Sequence, residues 1–235
     1  MSNFRIHHLS AYLRVFVFLA VCSWIASTHA QTVTWQDLPW PADQNWGGPQ
    51  GQPAVTNGNQ ITLTGQDVLS VQSFTGPLTI SYDVVLPIKS TTDGSLETFF
   101  VPTGEGTSNL PNPDIELLMN ESQTGNDFLS ATKDRGTSML WGNNPFSIQT
   151  QTVYHVSISV AGNGQVGWSI NGNDVGLSNS VVVPYASFQL RLSSWQPTQE
   201  WQVSNFTVVP EPTTVTLLGA GLVGLLAVVR CRKSP

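Results

Sequence analysis

Between residues 31 and 208 apolar side chains recur at every second position in short runs, and no window holds a 3.6-residue apolar period with caps. Leu78, Ile80, Tyr82 and Val84 alternate with Thr79, Ser81 and Asp83. Tyr154, Val156, Ile158 and Val160 alternate with His155, Ser157 and Ser159, and Phe188, Leu190 and Leu192 with Gln189, Arg191 and Ser193. Near the end Trp201, Val203 and Asn205 alternate with Gln202, Ser204 and Phe206, a pattern that weakens as both faces become partly apolar. Shorter strands are expected at Gln60–Leu63, Val68–Val71, Leu96–Val101, Ile115–Met119, Ser138–Trp141, Val166–Ile170 and Val181–Val183. Gly162-Asn163-Gly164 and Asn171-Gly172-Asn173-Asp174 supply the positive φ that tight hairpins need. Ten or so short strands without helices predict one all-β domain over residues 31–208, an antiparallel β-sandwich of two packed sheets, with neither repeat nor internal linker.

The two ends follow other rules. Arg5 and Arg14 supply a positive start ahead of an apolar run, Val15–Ala26, and Ser27-Thr28-His29-Ala30 offers small residues for a peptidase. Residues 1–30 therefore read as a secretory signal peptide cut after Ala30, with a retained N-terminal anchor as the other reading. At the far end Val209-Pro210-Glu211-Pro212 precedes the uncharged stretch Thr213–Val229, which is followed by Arg230-Cys231-Arg232-Lys233. As a helix, residues 213–229 would reach roughly 25 Å, a short transmembrane span whose flanking cations snorkel to the cytoplasmic side. The body is then left outside the cytoplasm. Gly219-Ala220-Gly221-Leu222-Val223-Gly224 spells GxGxxG, but it lies inside that apolar stretch and not between a strand and a helix, so no dinucleotide is expected.

In three parts, Pro210-Glu211-Pro212, the apolar stretch and the basic cluster of Arg230, Arg232 and Lys233, this tail resembles the PEP-CTERM sorting signal of Gram-negative bacteria. The resemblance covers roughly residues 209–233 of a terminal segment, 209–235, read as the sorting signal. It implies an exosortase as partner, cleavage near the Pro-Glu-Pro triplet after a stay in the inner membrane, and delivery to the cell surface or extracellular matrix. Organisms that use such signals typically make exopolysaccharide and biofilm. An ordinary tail anchor is the alternative.

Charge narrows the function classes. Only 10% of the 235 residues are charged and the formal net charge is −6, but residues 31–209 keep Lys89, Lys133, Arg135 and Arg191 against fourteen acids. A body that acidic repels phosphate backbones, so nucleic acid is excluded as a partner. Cys22 and Cys231 both lie in the terminal segments, and an exported body without cysteine is held by its core alone.

Tyr154-His155-Val156-Ser157-Ile158, Gly167-Trp168-Ser169-Ile170, the Asn171-Gly172 turn and a closing Phe206-Thr207-Val208 together resemble the concanavalin A-like jelly rolls, the lectin and glucanase superfamily. Asn112-Pro113-Asp114-Ile115-Glu116-Leu117 is similar to the Glu-x-Asp-x-Glu strand of its glucanases. The resemblance implies an acid/base at Glu116 tuned by Asp114, the two sharing a face of one strand and pointing into the concave groove. The nucleophile position holds Asn112, whose amide cannot do that work.

Other chemistry is sparse. His155 is the only histidine after residue 31, with no GxSxG near it and too few partners for zinc. It reads as a polar-face residue of a half-exposed strand. Trp35, Trp40 and Trp46 lie in a Pro/Gly/Asn/Gln-rich segment and Trp195 beside Ser194 and Gln196, so these four are carbohydrate-stacking candidates, whereas Trp168 and Trp201 belong to the core. Asp93, Asp127 and Asp134 stand near glycines and could hold Ca²⁺ in loops, although no D-x-D-x-D-G spacing is present and no cofactor is otherwise expected. The expected function is an exported surface or matrix protein that binds extracellular polysaccharide without cleaving it. The alternatives are a glycoside hydrolase or polysaccharide lyase using Glu116 and Asp114, and a ligand-free structural coat protein.

Overall fold

The computed structural model describes residues 30–38, 55–57, 60–89, 91–105, 114–133, 138–194 and 199–211. Among these there is no helix, and fifteen strands build two antiparallel sheets. Residues 31–208 form one compact unit. The expected signal peptide, the 213–229 span, Pro212 and the basic cluster lie outside the described residues.

The first sheet contains β1 (Gln31–Thr32), β3 (Val55–Asn57), β4 (Gln60–Thr64), β6 (Leu78–Val85), β11 (Tyr154–Val160), β12 (Val166–Ile170), β13 (Asn173–Asp174) and β15 (Glu200–Pro210). Its order is β13-β12-β11-β6-β15-β4-β3, with β1 lying along the end of β15. The second sheet contains β2 (Trp35–Leu38), β5 (Asp67–Ser70), β7 (Gly94–Pro102), β8 (Ile115–Glu121), β9 (Phe128–Lys133), β10 (Ser138–Pro145) and β14 (Phe188–Ser194), in the order β10-β9-β8-β7-β14-β5-β2.

The alternation works where it is cleanest. In β6 and β11 every second residue is buried, and Ile80 pairs with Ile158 while Ser81 pairs with Ser157. Apolar partners thus meet on the inner face and hydroxyls on the outer one, the two-sided arrangement of an antiparallel sheet with one wet face. Trp168 and Trp201 are buried in the core, as their strand positions require. At the hairpin between β11 and β12, Gly164 takes φ +82° and an added Cβ would lie 2.3 Å from the Val183 carbonyl oxygen, so only glycine fits.

Four departures from the simple pattern have physical reasons. In β15 Trp201 and Val203 point inward, but so do Phe206 and Val208, of opposite parity. Asn205, at φ 54°, absorbs the extra residue and resets the phase, which is why the alternation weakens there in the sequence. Strand β14 is buried throughout and not on one face only, because its polar residues join a covered cluster. The Val181–Val183 strand is reduced to a single bridge between Val182 and Gln165. Trp35, assigned to an irregular segment, lies on β2, and β9 was hidden because Leu129, Ser130, Ala131 and Thr132 are all buried.

Replacing Trp201 by Ala removes the largest fully buried side chain. It should cost about 3–5 kcal/mol, read as a lower urea midpoint at unchanged slope, whereas Ser157→Ala on the outer face should leave the midpoint within error.

Candidate functional site

The outer face of the second sheet gathers charge where a solvent face would be expected to disperse it. Cross-strand pairing places Thr132, Glu116, Phe99 and Arg191 in one row over β9, β8, β7 and β14. The next row holds Glu97 beside Ser193, which pairs in turn with Asp67. Asp114 precedes Glu116 by two positions and lies on the same side, so the two carboxyls meet in a side-chain hydrogen bond.

These groups are withdrawn from water. Asp114 is fully buried, and Glu116, Asp67 and Arg191 are 3%, 3% and 5% exposed. Arg191 donates through Nη2 to Asp67 Oδ2, and its guanidinium carbon sits 5.4 Å from the Phe99 ring centroid. Thr132 Oγ1 donates to Glu116 Oε2 at 2.7 Å, and Ser95 Oγ donates to Glu97 Oε1 at 2.7 Å. Asp67 Oδ1 and Arg191 Nε have no hydrogen-bond partner. Arg191 thus bonds one carboxyl, Asp67, and acts electrostatically on a second, Glu97.

Protons complete the balance. Burial, together with the neighbouring Glu97 and Asp114 carboxyls, pushes Glu116 up to about 8, and the bond from Thr132 only partly offsets this. Glu97 is pushed up to about 7, again chiefly by burial, with Asp67 adding to the shift and Ser95 and Arg191 opposing it. At neutral pH Glu116 keeps its proton and can donate it to the carboxyl beside it. It is a neutral, hydrogen-bonded acid in a closed site, and Asn112, the nucleophile position of the glucanase pattern, falls outside the described residues.

A second cluster lies at the turn between β8 and β9. Lys89 Nζ is 3.1 Å from Glu121 Oε1 and 3.3 Å from Asp127 Oδ1. Burial would depress the lysine, but the two carboxylates outweigh it and raise its pKa. Asp127 also accepts from the Ser122 and Ile148 amides, and Asp93 accepts from Gln123 N–H and Ser122 Oγ. Gln199 donates to Glu121 Oε2 at 2.6 Å. Two of the three calcium candidates, Asp93 and Asp127, are therefore engaged with backbone, hydroxyl and ammonium groups, while Asp134 lies outside the described residues. Among those residues no three His, Cys, Asp or Glu side chains are grouped to hold a metal.

On the outer face of the first sheet, exposed His155 meets Asp83 through Nδ1 at 2.5 Å, and Asn205 donates to the other Asp83 oxygen at 2.7 Å. The histidine is on the polar face as expected. Its aspartate partner was not anticipated, although His155 and Asp83 occupy matching positions of paired strands. Trp35 is half-buried, edge-on to Phe206 at 4.8 Å and packed against the core. Trp40, Trp46 and Trp195 lie outside the described residues. Asp67, Glu97 and Arg191 were also missed as cluster members; each is a polar residue inside an apolar strand, the one trace the sequence carried.

Comparison with known proteins gives the tail its identity. Residues 208–233 match the family model for the PEP-CTERM protein-sorting motif. The tail is a PEP-CTERM sorting motif. It begins within β15, so the motif starts where the sandwich ends, with Pro210 closing the strand and Glu211 exposed. Such a motif marks a protein sorted to the cell surface by an exosortase after membrane anchoring. No helix among the described residues is long and apolar enough to cross a membrane.

No curated protein matches this chain in sequence. Among solved structures, LamAcat from Zobellia galactanivorans is similar at TM-score 0.54 and 13% identity, over 75% of this chain and 90% of that one. The Bacillus licheniformis β-glucanase is similar at 0.51 and 12%, over 79% and 95%. The Emp47p carbohydrate recognition domain is similar at 0.52 and 12%, over 75% and 88%. At these identities the likeness is one of fold: the two-sheet sandwich has the jelly-roll architecture of these structures.

Two measurements follow from the clusters. A carboxyl whose folded pKa lies above its unfolded value stabilises the fold fully below the unfolded value, and that contribution is lost as pH rises through the folded one. Tm should therefore fall between pH 5 and pH 9, Glu116 alone contributing on the order of 10 °C, and Glu116→Gln should flatten the profile. Lys89→Met strands Glu121 and Asp127, whose side chains are 0% and 3% exposed. Because the lysine side chain is 35% exposed, the cost should be about 2–3 kcal/mol, below the roughly 3–5 of a fully buried pair, measured by urea unfolding.

Proposed function

We propose that this chain is an exported, exosortase-sorted protein of the cell surface or extracellular matrix whose sandwich binds polysaccharide without cleaving it. The sorting motif running on from the last strand carries the first half of the reading. The second half is supported by the jelly-roll fold, by Trp40, Trp46 and Trp195 as stacking candidates, and by the incomplete catalytic set. Asn112 cannot act as a nucleophile, and Glu116 is closed to solvent and bonded to Asp114. Before processing, the inner membrane holds the tail and the acidic body lies outside the cytoplasm.

One observation favours a second reading, hydrolysis. A carboxyl raised to about 8 holds the proton that a general acid must donate at neutral pH.

The experiment is a titration of the exported protein with neutral, anionic and amino-sugar polysaccharides, followed by indole fluorescence and, in the same samples, by release of reducing ends. The expected outcome is a saturable fluorescence change with no reducing ends. A flat titration with every glycan removes the binding reading. Reducing ends that disappear in Glu116→Gln replace it with the hydrolase.

A further inference from the structure

Three chemically complementary groups meet at the turn between β8 and β9. Lys89 lies in the connection after β6, Glu121 ends β8, and Asp127 immediately precedes β9. Lys89 Nζ is 3.1 Å from Glu121 Oε1 and 3.3 Å from Asp127 Oδ1, so one ammonium rests against both carboxyls. Lys89 and Asp127 stand 38 positions apart along the chain.

The Asp127 carboxyl is fixed on its other sides. The Ser122 amide donates to Oδ1 at 2.9 Å, and the amide of buried Ile148 donates to Oδ2 at 2.8 Å. The turn carrying Ser122 is itself pinned, because Asp93 accepts from the Gln123 amide and from Ser122 Oγ. Gln199 holds Glu121 through Oε2 at 2.6 Å. The side chains of Glu121 and Asp127 are 0% and 3% exposed, whereas that of Lys89 keeps 35%. Water is thus kept from both carboxyls while the lysine retains a path to solvent. An amine and a carboxyl held in contact in this way react as parts of one molecule, without the entropic cost of a bimolecular encounter.

We propose that Lys89 and Asp127 condense to an intramolecular isopeptide bond, with Glu121 relaying the proton between them. Glu121 takes one proton from the ammonium and passes it to Asp127 Oδ1. The ion pair becomes an amine beside a carboxylic acid, with no net proton gained or lost. The Nζ lone pair then attacks Cγ, and the Ile148 N–H stabilises the charge that develops on Oδ2. The Nζ–Cγ bond forms and the Cγ–Oδ1 bond breaks. Oδ1 departs with its own proton and one from the nitrogen, as a single water. No electrons are exchanged with any other species. A neutral amide replaces a desolvated ammonium and carboxylate, which removes the cost of keeping two charges from water. Burial raises the Glu121 pKa above the ordinary carboxyl value, which suits a group that must carry a proton for part of the reaction. The bond ties the connection after β6 to the β8–β9 turn in a body that has no cysteine for a disulfide. It restricts the unfolded chain as a disulfide does, and it does not depend on what the sandwich binds.

The test is peptide mapping by mass spectrometry of the full-length chain, purified from an exporting host and digested with trypsin, which does not cut after an acylated lysine. The wild type should stay uncut after Lys89. Its fragment ending at Lys133 should be lighter than the linear sequence by one water, with fragment ions that join residues 89 and 127. Lys89→Arg keeps a cation but not the amine; it should be cut after residue 89, give both peptides at their linear masses, and melt below the wild type. In a pulse-labelled time course Glu121→Gln, folded by near-ultraviolet circular dichroism, should form the joined fragment about a hundredfold more slowly. A wild-type chain cut after Lys89, with both peptides at linear mass, overturns the bond and leaves an ion pair. A lost water that maps to other residues overturns it equally. Joining in Glu121→Gln at the wild-type rate overturns the relay. The wild-type map decides the bond by itself, whether or not a variant folds.

Discussion

Strand β15 is the member on which the molecule depends. It lies inside the first sheet between β6 and β4, accepts β1 along its final residues, and buries Trp201, Val203, Phe206 and Val208 in the core. The same eleven residues end at Pro210, inside the sorting motif. A strand bonded on both sides is among the hardest parts of a domain to open. The handle by which the protein is sorted is consequently attached to a strand paired on both sides.

The second sheet solves a different problem. Its outer face draws Asp67, Asp114 and Glu116, with almost no exposure, and half-buried Glu97 together beside Arg191. Four ionised carboxylates beside one guanidinium could not be withdrawn from water at tolerable cost. Retained protons on Glu116 and, near neutrality, on Glu97 make the arrangement possible. The site is therefore built by titration as much as by packing.

Much of the fold was legible because its strands obey one rule. In β6, β11 and β12 the inner and outer faces differ so sharply in polarity that alternation alone fixes register and orientation. Legibility failed where that contrast was lost. Leu129 to Thr132 are buried on both faces, and Asn205 inserts a residue that inverts the parity of β15. Of the candidate site, Asp114 and Glu116 were visible because two positions on one strand share a face. Glu97, Arg191 and Asp67 were not, since their meeting depends on which strands lie side by side, and that is a property of topology that no local window contains. The same holds for Asp83 beneath His155.

Sorting decides where the protein ends up and in what form. Fractionating a native culture and measuring the intact mass of the protein recovered from each compartment tests it most directly. The expected outcome is a surface or matrix species that begins at Gln31 and ends within the Pro210–Pro212 triplet. A water-soluble cytoplasmic species retaining residues 1–30 and 213–235 would contradict it.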